Sequence, residues 1–257
     1  MITNRVRLKI IKRFAAAFIA LFLSVFLNTV NAQTMKFKPI LFVVSSDEHG
    51  YWLPEVVEPY YMLSRAGFKI DIASPLGGKG VQRGVNRMSN HYNRWYQSSI
   101  LVDQLESTLL LSEVSPLDYQ AVYFAGGAGP MFDLIDNKTV HDIIRNIYEN
   151  NGLIAADCHG PAALINATLS DGERLIKGKN ITAKANKEEG IWARMNYPFL
   201  LEDKIRAVGG NYSSAKNGKP HVVTDGRIIT GQNPASAILV AKHMLAALIG
   251  MPAQQKD

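Results

Sequence analysis

Cys158 is the single cysteine of the 257-residue chain, and a histidine follows it directly, in Ala155-Ala156-Asp157-Cys158-His159-Gly160-Pro161-Ala162. A thiolate beside an imidazole can do covalent chemistry: the sulfur attacks an electrophilic carbon and the ring carries the proton. The apolar run before Cys158 reads as a short buried strand. Pro161 suits a first helical turn, where its missing N–H costs nothing. Cys158 is therefore expected on a sharp strand-to-helix turn that pushes its side chain out of the sheet, as a nucleophile elbow does. A helix N-terminus and His159 are expected to lower the thiol pKa below the free value of about 8.5. Free cysteines are often only small buried hydrophobes. The adjacent imidazole, a glycine-rich turn and an export signal weigh against that here.

A second cluster, Gly126-Gly127-Ala128-Gly129, follows a β-rich run. Glycine lets backbone approach a reacting carbon closely, and the N–H groups of Gly127 and His159 could form an oxyanion hole. Simple turn glycines give the same local pattern. The histidines are His49, His91, His141, His159, His221 and His243. None makes a close pair on one helix face or a Cys–His set of zinc spacing, so no metal site is expected.

The elements that must position these groups alternate. Strands are expected at 40–46, 69–74, 121–125 and 153–157, with helices at 54–66, 140–149, 198–208 and 235–249. A further strand is read at 180–185, and two β-rich runs flank the Asp225-Gly226 turn signal. Residues 81–97, rich in Asn, Arg and aromatics without a clean period, read as an extended loop. Alternating strands and helices predict a three-layer α/β/α sandwich, flavodoxin-like, with a mostly parallel sheet.

Ahead of this domain, Arg5, Arg7, Lys9, Lys12 and Arg13 precede an apolar stretch that ends in Val30-Asn31-Ala32. This reads as a signal peptide over 1–32, leaving a domain over 33–257 in the periplasm or outside the cell, without stable membrane association once the leader is removed. Taking the five leader cations from the 28 basic residues leaves 23 against 22 acidic ones. The high pI is thus largely the leader's, and a nucleic-acid footprint is not supported.

The elbow, the glycine turn, Gly50 to Pro59 with Glu55, Ala73-Ser74-Pro75 with Gly77-Gly78, the stretch Pro198 to Asp203, and Asp225-Gly226-Arg227 through Gly231-Gln232-Asn233-Pro234-Ala235-Ser236 occur in one order. In that order the chain resembles the ThiJ/PfpI family of the class I glutamine amidotransferase-like superfamily, in its branch of glutathione-independent glyoxalases and heat-shock chaperones. The resemblance implies that His159 is the catalytic histidine and that Glu189 orients it, with Glu188 as the alternative. It implies Glu55 as the acid beside the thiol, with Glu58 one helical step away in competition. It also implies a homodimer. Ala128 departs from the pattern, since many relatives carry a histidine there.

The function this implies is a cofactor-free lyase of the glyoxalase III (D-lactate dehydratase) type. It would act on a small-molecule 2-oxoaldehyde such as methylglyoxal and require no glutathione, metal or nucleotide. A Cys–His–Glu set could equally cleave an amide, and a holdase chaperone is the third reading. Arg83, Arg87 and Arg94 depart from the usual family pattern; they either select an anionic substrate or are solvated surface.

Overall fold

The structure is a computed structural model that describes residues 37–251; the expected leader at 1–32 lies outside the described residues. The strands in chain order are β1 (Ile40–Val43), β2 (Tyr51–Trp52), β3 (Ile70–Ser74), β4 (Gln82–Arg83), β5 (Leu109–Leu110), β6 (Ala121–Phe124), β7 (Leu153–Asp157), β8 (Asn180–Ile181), β9 (Asn211–Tyr212), β10 (Val222–Asp225) and β11 (Ile228–Gly231). The α-helices are α1 (Pro54–Arg65), α2 (Asn90–Gln97), α3 (Leu101–Glu106), α4 (Pro130–Asp133), α5 (Lys138–Glu149), α6 (Ile191–Asn196), α7 (Leu201–Ala207) and α8 (Ala237–Gly250).

Seven strands form the main sheet in the order β10-β11-β7-β6-β1-β3-β5. All neighbours are parallel except the β10–β11 hairpin, which turns at Asp225-Gly226. The interior strands are apolar on both faces because both faces are covered. Leu41 and Val43 of β1 pack with Val140, Ile143 and Ile144 of α5 and with Leu201 and Ile205 of α7. The alternate residues Ile40 and Phe42 pack with Val56, Val57 and Leu63 of α1, Leu101 and Leu105 of α3, and Val240 and Met244 of α8. Alternation along a strand thus builds two separate cores, and the architecture is the expected three-layer sandwich. From β1 the chain goes first to β3 on one side and later to β6 on the other. That reversal opens a crevice at the carboxyl ends of the strands, where ligands of open α/β sheets bind.

Three expectations need correction. Residues 81–97 are not an extended loop: β4, a 3-10 turn over Val85–Arg87 and α2 occupy them. Tyr92, Trp95 and Tyr96 recur at helical spacing, and the rings of Tyr92 and Trp95 meet the edge of Tyr61 on α1 at 5.4 and 5.1 Å. The Ser89 side chain caps α2 by accepting from Tyr92 N. The second correction is at 180–185, where only Asn180–Ile181 is strand; it pairs with β9 outside the main sheet. The third is the turn after Cys158, which enters a buried 3-10 helix over Gly160–Leu164 and not an α-helix.

Candidate active site

The elbow is held from both sides. Cys158 N donates to Gly231 O of β11 at 3.0 Å, and Cys158 O accepts from Lys184 N at 2.8 Å. Between these clamps Cys158 adopts φ +57°, a left-handed conformation that side-chain-bearing residues rarely take. The strain turns its thiol toward the crevice, although only 5% of the residue is exposed.

Cys158 Sγ lies 3.6 Å from His159 Nδ1, and His159 Nε2 lies 2.7 Å from Glu189 Oε1. The carboxylate fixes the ring, so Nδ1 is left to face the sulfur. Glu189 is thus the partner of His159. Glu188 turns the other way, accepting from Gly218 N at 2.7 Å and Asn233 Nδ2 at 2.8 Å. The adjacent glutamates follow a 3-10 turn over Asn186–Glu188, which sends their side chains to different neighbours.

Glu55 enters on the first turn of α1 and is completely buried. Burial pushes its carboxyl up to about 8, against the opposing pull of the thiol and of the Gly126 N–H. Neither of these neighbours meets full hydrogen-bond geometry with it. Glu58, the competing acid, does not line the cleft. Gly126 makes the close approach possible: a Cβ there would overlap Glu55 Oε2 and stand 2.6 Å from Cys158 Cβ. Gly127 sits at φ +109°, and a Cβ on it would stand 2.6 Å from Trp52 N. Gly127 lines the cleft, whereas Gly126 lies behind it. The N–H groups of Gly127 and His159 donate to no other protein group among the described residues.

The thiol itself does not match the sequence expectation. Burial, then the charge of Glu55, pushes Cys158 well above its ordinary value, and Lys184 only partly opposes this. A five-residue 3-10 turn supplies little of the dipole that an α-helix would, so desolvation dominates. The charge of the Glu55 carboxyl therefore bears directly on the sulfur. While Glu55 keeps its proton, it exerts no repulsion on a thiolate and has a hydrogen to donate to it.

Two neighbours were not singled out from the sequence. Lys184, on the segment after β8, lines the cleft with its side chain 18% exposed. Burial works against its charge, but Cys158, Glu188 and Glu189 outweigh this and raise its pKa. Asp157 precedes Cys158, is completely buried and has no hydrogen-bond partner for either carboxyl oxygen. Burial and then the charge of Glu55 push its carboxyl well above the ordinary aspartate range.

The cleft measures about 480 Å³ and also draws on His49, Trp52, Arg83, Ala128, Trp192, Tyr197 and Pro234. Tyr197 presents its ring edge-on to His159 at 5.2 Å, and Trp192 meets Tyr197 at 5.7 Å. All three arginines singled out from the sequence are exposed; Arg83 lines the cleft, and Arg87 and Arg94 do not. Among the described residues, no group of three or more His, Cys, Asp or Glu side chains is arranged to hold a metal ion.

Comparison with known proteins gives the family. Residues 38–247 match the DJ-1/PfpI family. The chain is 32% identical over 213 residues to Glyoxalase 3 of Candida albicans, covering 77% of this chain and 89% of that one. It is similar in structure to the Rapid Encystment Protein 24 kDa of Francisella tularensis, with TM-score 0.78 and 34% identity over 82% of this chain and 99% of that one. It also resembles the crystal structure of glyoxalase III from Candida albicans, with TM-score 0.73 and 25% identity over 81% of this chain and 96% of that one.

Proposed function

The chain belongs to the DJ-1/PfpI family, and from that premise we propose that it is a glutathione-independent glyoxalase that converts a 2-oxoaldehyde such as methylglyoxal to the 2-hydroxy acid. The observation that carries this reading is the line from Cys158 Sγ through His159 Nδ1 at 3.6 Å to Glu189 at 2.7 Å, opening on a cleft that Glu55 also faces.

The Cys158 thiol gives its proton to His159 as the sulfur adds to the aldehyde carbon. The C–S bond forms, and the carbonyl pair moves to oxygen and takes a proton from Glu55, which His159 then replaces, giving a hemithioacetal and a neutral imidazole. His159 then removes the proton from that carbon. The C–H pair becomes the double bond of an enediolate, whose charge falls on the former ketone oxygen. The N–H groups of Gly127 and His159 and the Lys184 ammonium support that charge. Protonation of the oxygen and of the second carbon, with loss of the proton from the first hydroxyl, leaves a thioester of the 2-hydroxy acid. Water attacks the thioester, the C–S bond breaks, and the sulfur takes a proton back as the thiol. Protons balance over the cycle, and one water is consumed.

Export to the periplasm or the exterior, and a homodimeric state, belong to the same proposal. The first rests on the basic, apolar leader and the second on the family. The direct test is incubation of purified protein with methylglyoxal and no added thiol. Stoichiometric lactate supports the reading. Unchanged methylglyoxal, from protein whose Cys158 still reacts with iodoacetamide, refutes it.

A further inference from the structure

Methylglyoxal has three carbons, whereas a cleft of about 480 Å³ falls in the range of roughly 300–1,000 Å³ that holds much larger ligands. Besides the reacting groups, the lining includes the rings of Trp52, Trp192 and Tyr197 and a second cation, Arg83.

Arg83 is built into its position. β4 pairs with β2 in parallel register, Trp52 opposite Arg83, and Leu53 N donates to Arg83 O at 2.9 Å. Arg83 Nε donates to His49 O at 3.2 Å and Nη2 donates to Glu48 O at 3.0 Å. A guanidinium has five N–H donors in a fixed plane. Two are used on neutral carbonyls, which orient the group without cancelling its charge. Among the described residues Arg83 makes no ion pair. Asp47, on the same segment, already accepts from the His49 ring at 2.6 Å and from His49 N at 2.9 Å. Glu55, the acid on the cleft lining, has its carboxyl pushed up to about 8 by burial. A fixed, uncompensated guanidinium on the lining of a cleft recognises a carboxylate or phosphate.

We infer that the site takes a 2-oxoaldehyde longer than methylglyoxal with an anionic group at its far end. The aldehyde meets Cys158, the chain lies along the aromatic wall, and the anion pairs with Arg83. This inference rests on the glyoxalase reading above. It also divides the three arginines that stood out in the sequence: Arg83 selects substrate, and Arg87 and Arg94 are solvated surface.

The test compares ω-carboxylated 2-oxoaldehydes having two to four methylenes, beginning with 4,5-dioxopentanoate, each against the neutral counterpart ending in methyl. At least one tail length should show kcat/KM about tenfold or more above its neutral counterpart, as expected for a charge-assisted hydrogen-bonded pair. The advantage should shrink as salt rises. In Arg83→Gln the ratio should fall to near one, and in Arg94→Gln it should stay at the wild-type value. Because the readout is a ratio within each protein, a general loss of activity does not imitate it. If wild type turns over methylglyoxal but favours no carboxylated tail, or if the preference survives in Arg83→Gln, this inference is overturned and the glyoxalase reading stands. If wild type turns over none of these aldehydes, the glyoxalase reading fails and takes this inference with it.

Discussion

Replacing Glu55 by Gln should make the protein more stable at neutral pH while impairing it as a catalyst. The native carboxyl holds its proton up to about pH 8, whereas in the unfolded chain it releases it near 4.5. Between those values the native state binds more protons than the unfolded state, so stability falls as pH rises. At pH 7 the accumulated loss is about 3 kcal/mol, taking roughly 1.4 kcal/mol per pH unit. Glutamine is isosteric with the protonated acid and does not titrate, so it removes that loss. Glu55→Gln is therefore expected to gain about 3 kcal/mol at pH 7, or roughly 6–12 °C in Tm for a domain of this size, and almost nothing at pH 4. Urea unfolding of both proteins at pH 4, 5.5 and 7 measures the difference directly. A gap that grows with pH supports a buried neutral carboxyl. A constant gap, or a variant less stable at pH 7, would show that Glu55 is not held protonated and would undo the argument that it shares a proton with the thiol.

Other substitutions probe the remaining parts of the site. Cys158→Ser should abolish aldehyde turnover with the fold intact by circular dichroism, and adding His159→Ala should make it scarcely worse, because members of one unit are not additive. Glu189→Gln should cost less, about 10- to 100-fold in kcat, since water can partly replace an orienting hydrogen bond. Lys184→Met removes the cation that opposes the upward push on the thiol. The pH at which iodoacetamide alkylation accelerates should therefore move up, with the rate at pH 7 falling about tenfold if the move is near one pH unit; an unmoved profile rules out its electrostatic role. Gly126→Ala should lose both soluble yield and thiol reactivity, because its Cβ overlaps Glu55 and crowds Cys158.

The parts of the site that could be read in the sequence are those carried by neighbouring residues. Cys158 and His159 are adjacent, and their turn is announced by glycine and proline. Glu189 is 30 residues from His159, and only matching to a known pattern brought it forward; the 2.7 Å contact then separated it from Glu188. Lys184 gave no local signal, because a lysine beside a short strand looks like solvent-facing surface until the fold surrounds it. Trp52 lies on β2, and Trp192 and Tyr197 lie on α6 and at its end, so only tertiary structure makes them one wall. The helix at Asn90–Gln97 was hidden because Asn and Arg at its exposed positions mask the spacing of Tyr92, Trp95 and Tyr96. The thiol pKa failed for a related reason. Local sequence shows the turn and the imidazole, but the burial that dominates is contributed by distant strands.

The same comparison explains why the unfavourable features of this fold gather at one place. Cys158 is held at positive φ, Glu55 and Asp157 are buried carboxyls without full hydrogen bonds, and Gly126 leaves no room for a side chain. Each is destabilising by itself. Away from the crevice, strand and helix follow apolar patterning and pack into two continuous cores. The cores can hold the strain because the elbow is clamped by β11 on one side and by the segment after β8 on the other. A relaxed Cys158 at negative φ would turn the sulfur away from the crevice, and an ionised Glu55 would add to the push that raises the thiol pKa. The strain at the turn and the buried carboxyl are therefore part of the proposed mechanism, and a variant that relieves either should gain stability as it loses reactivity.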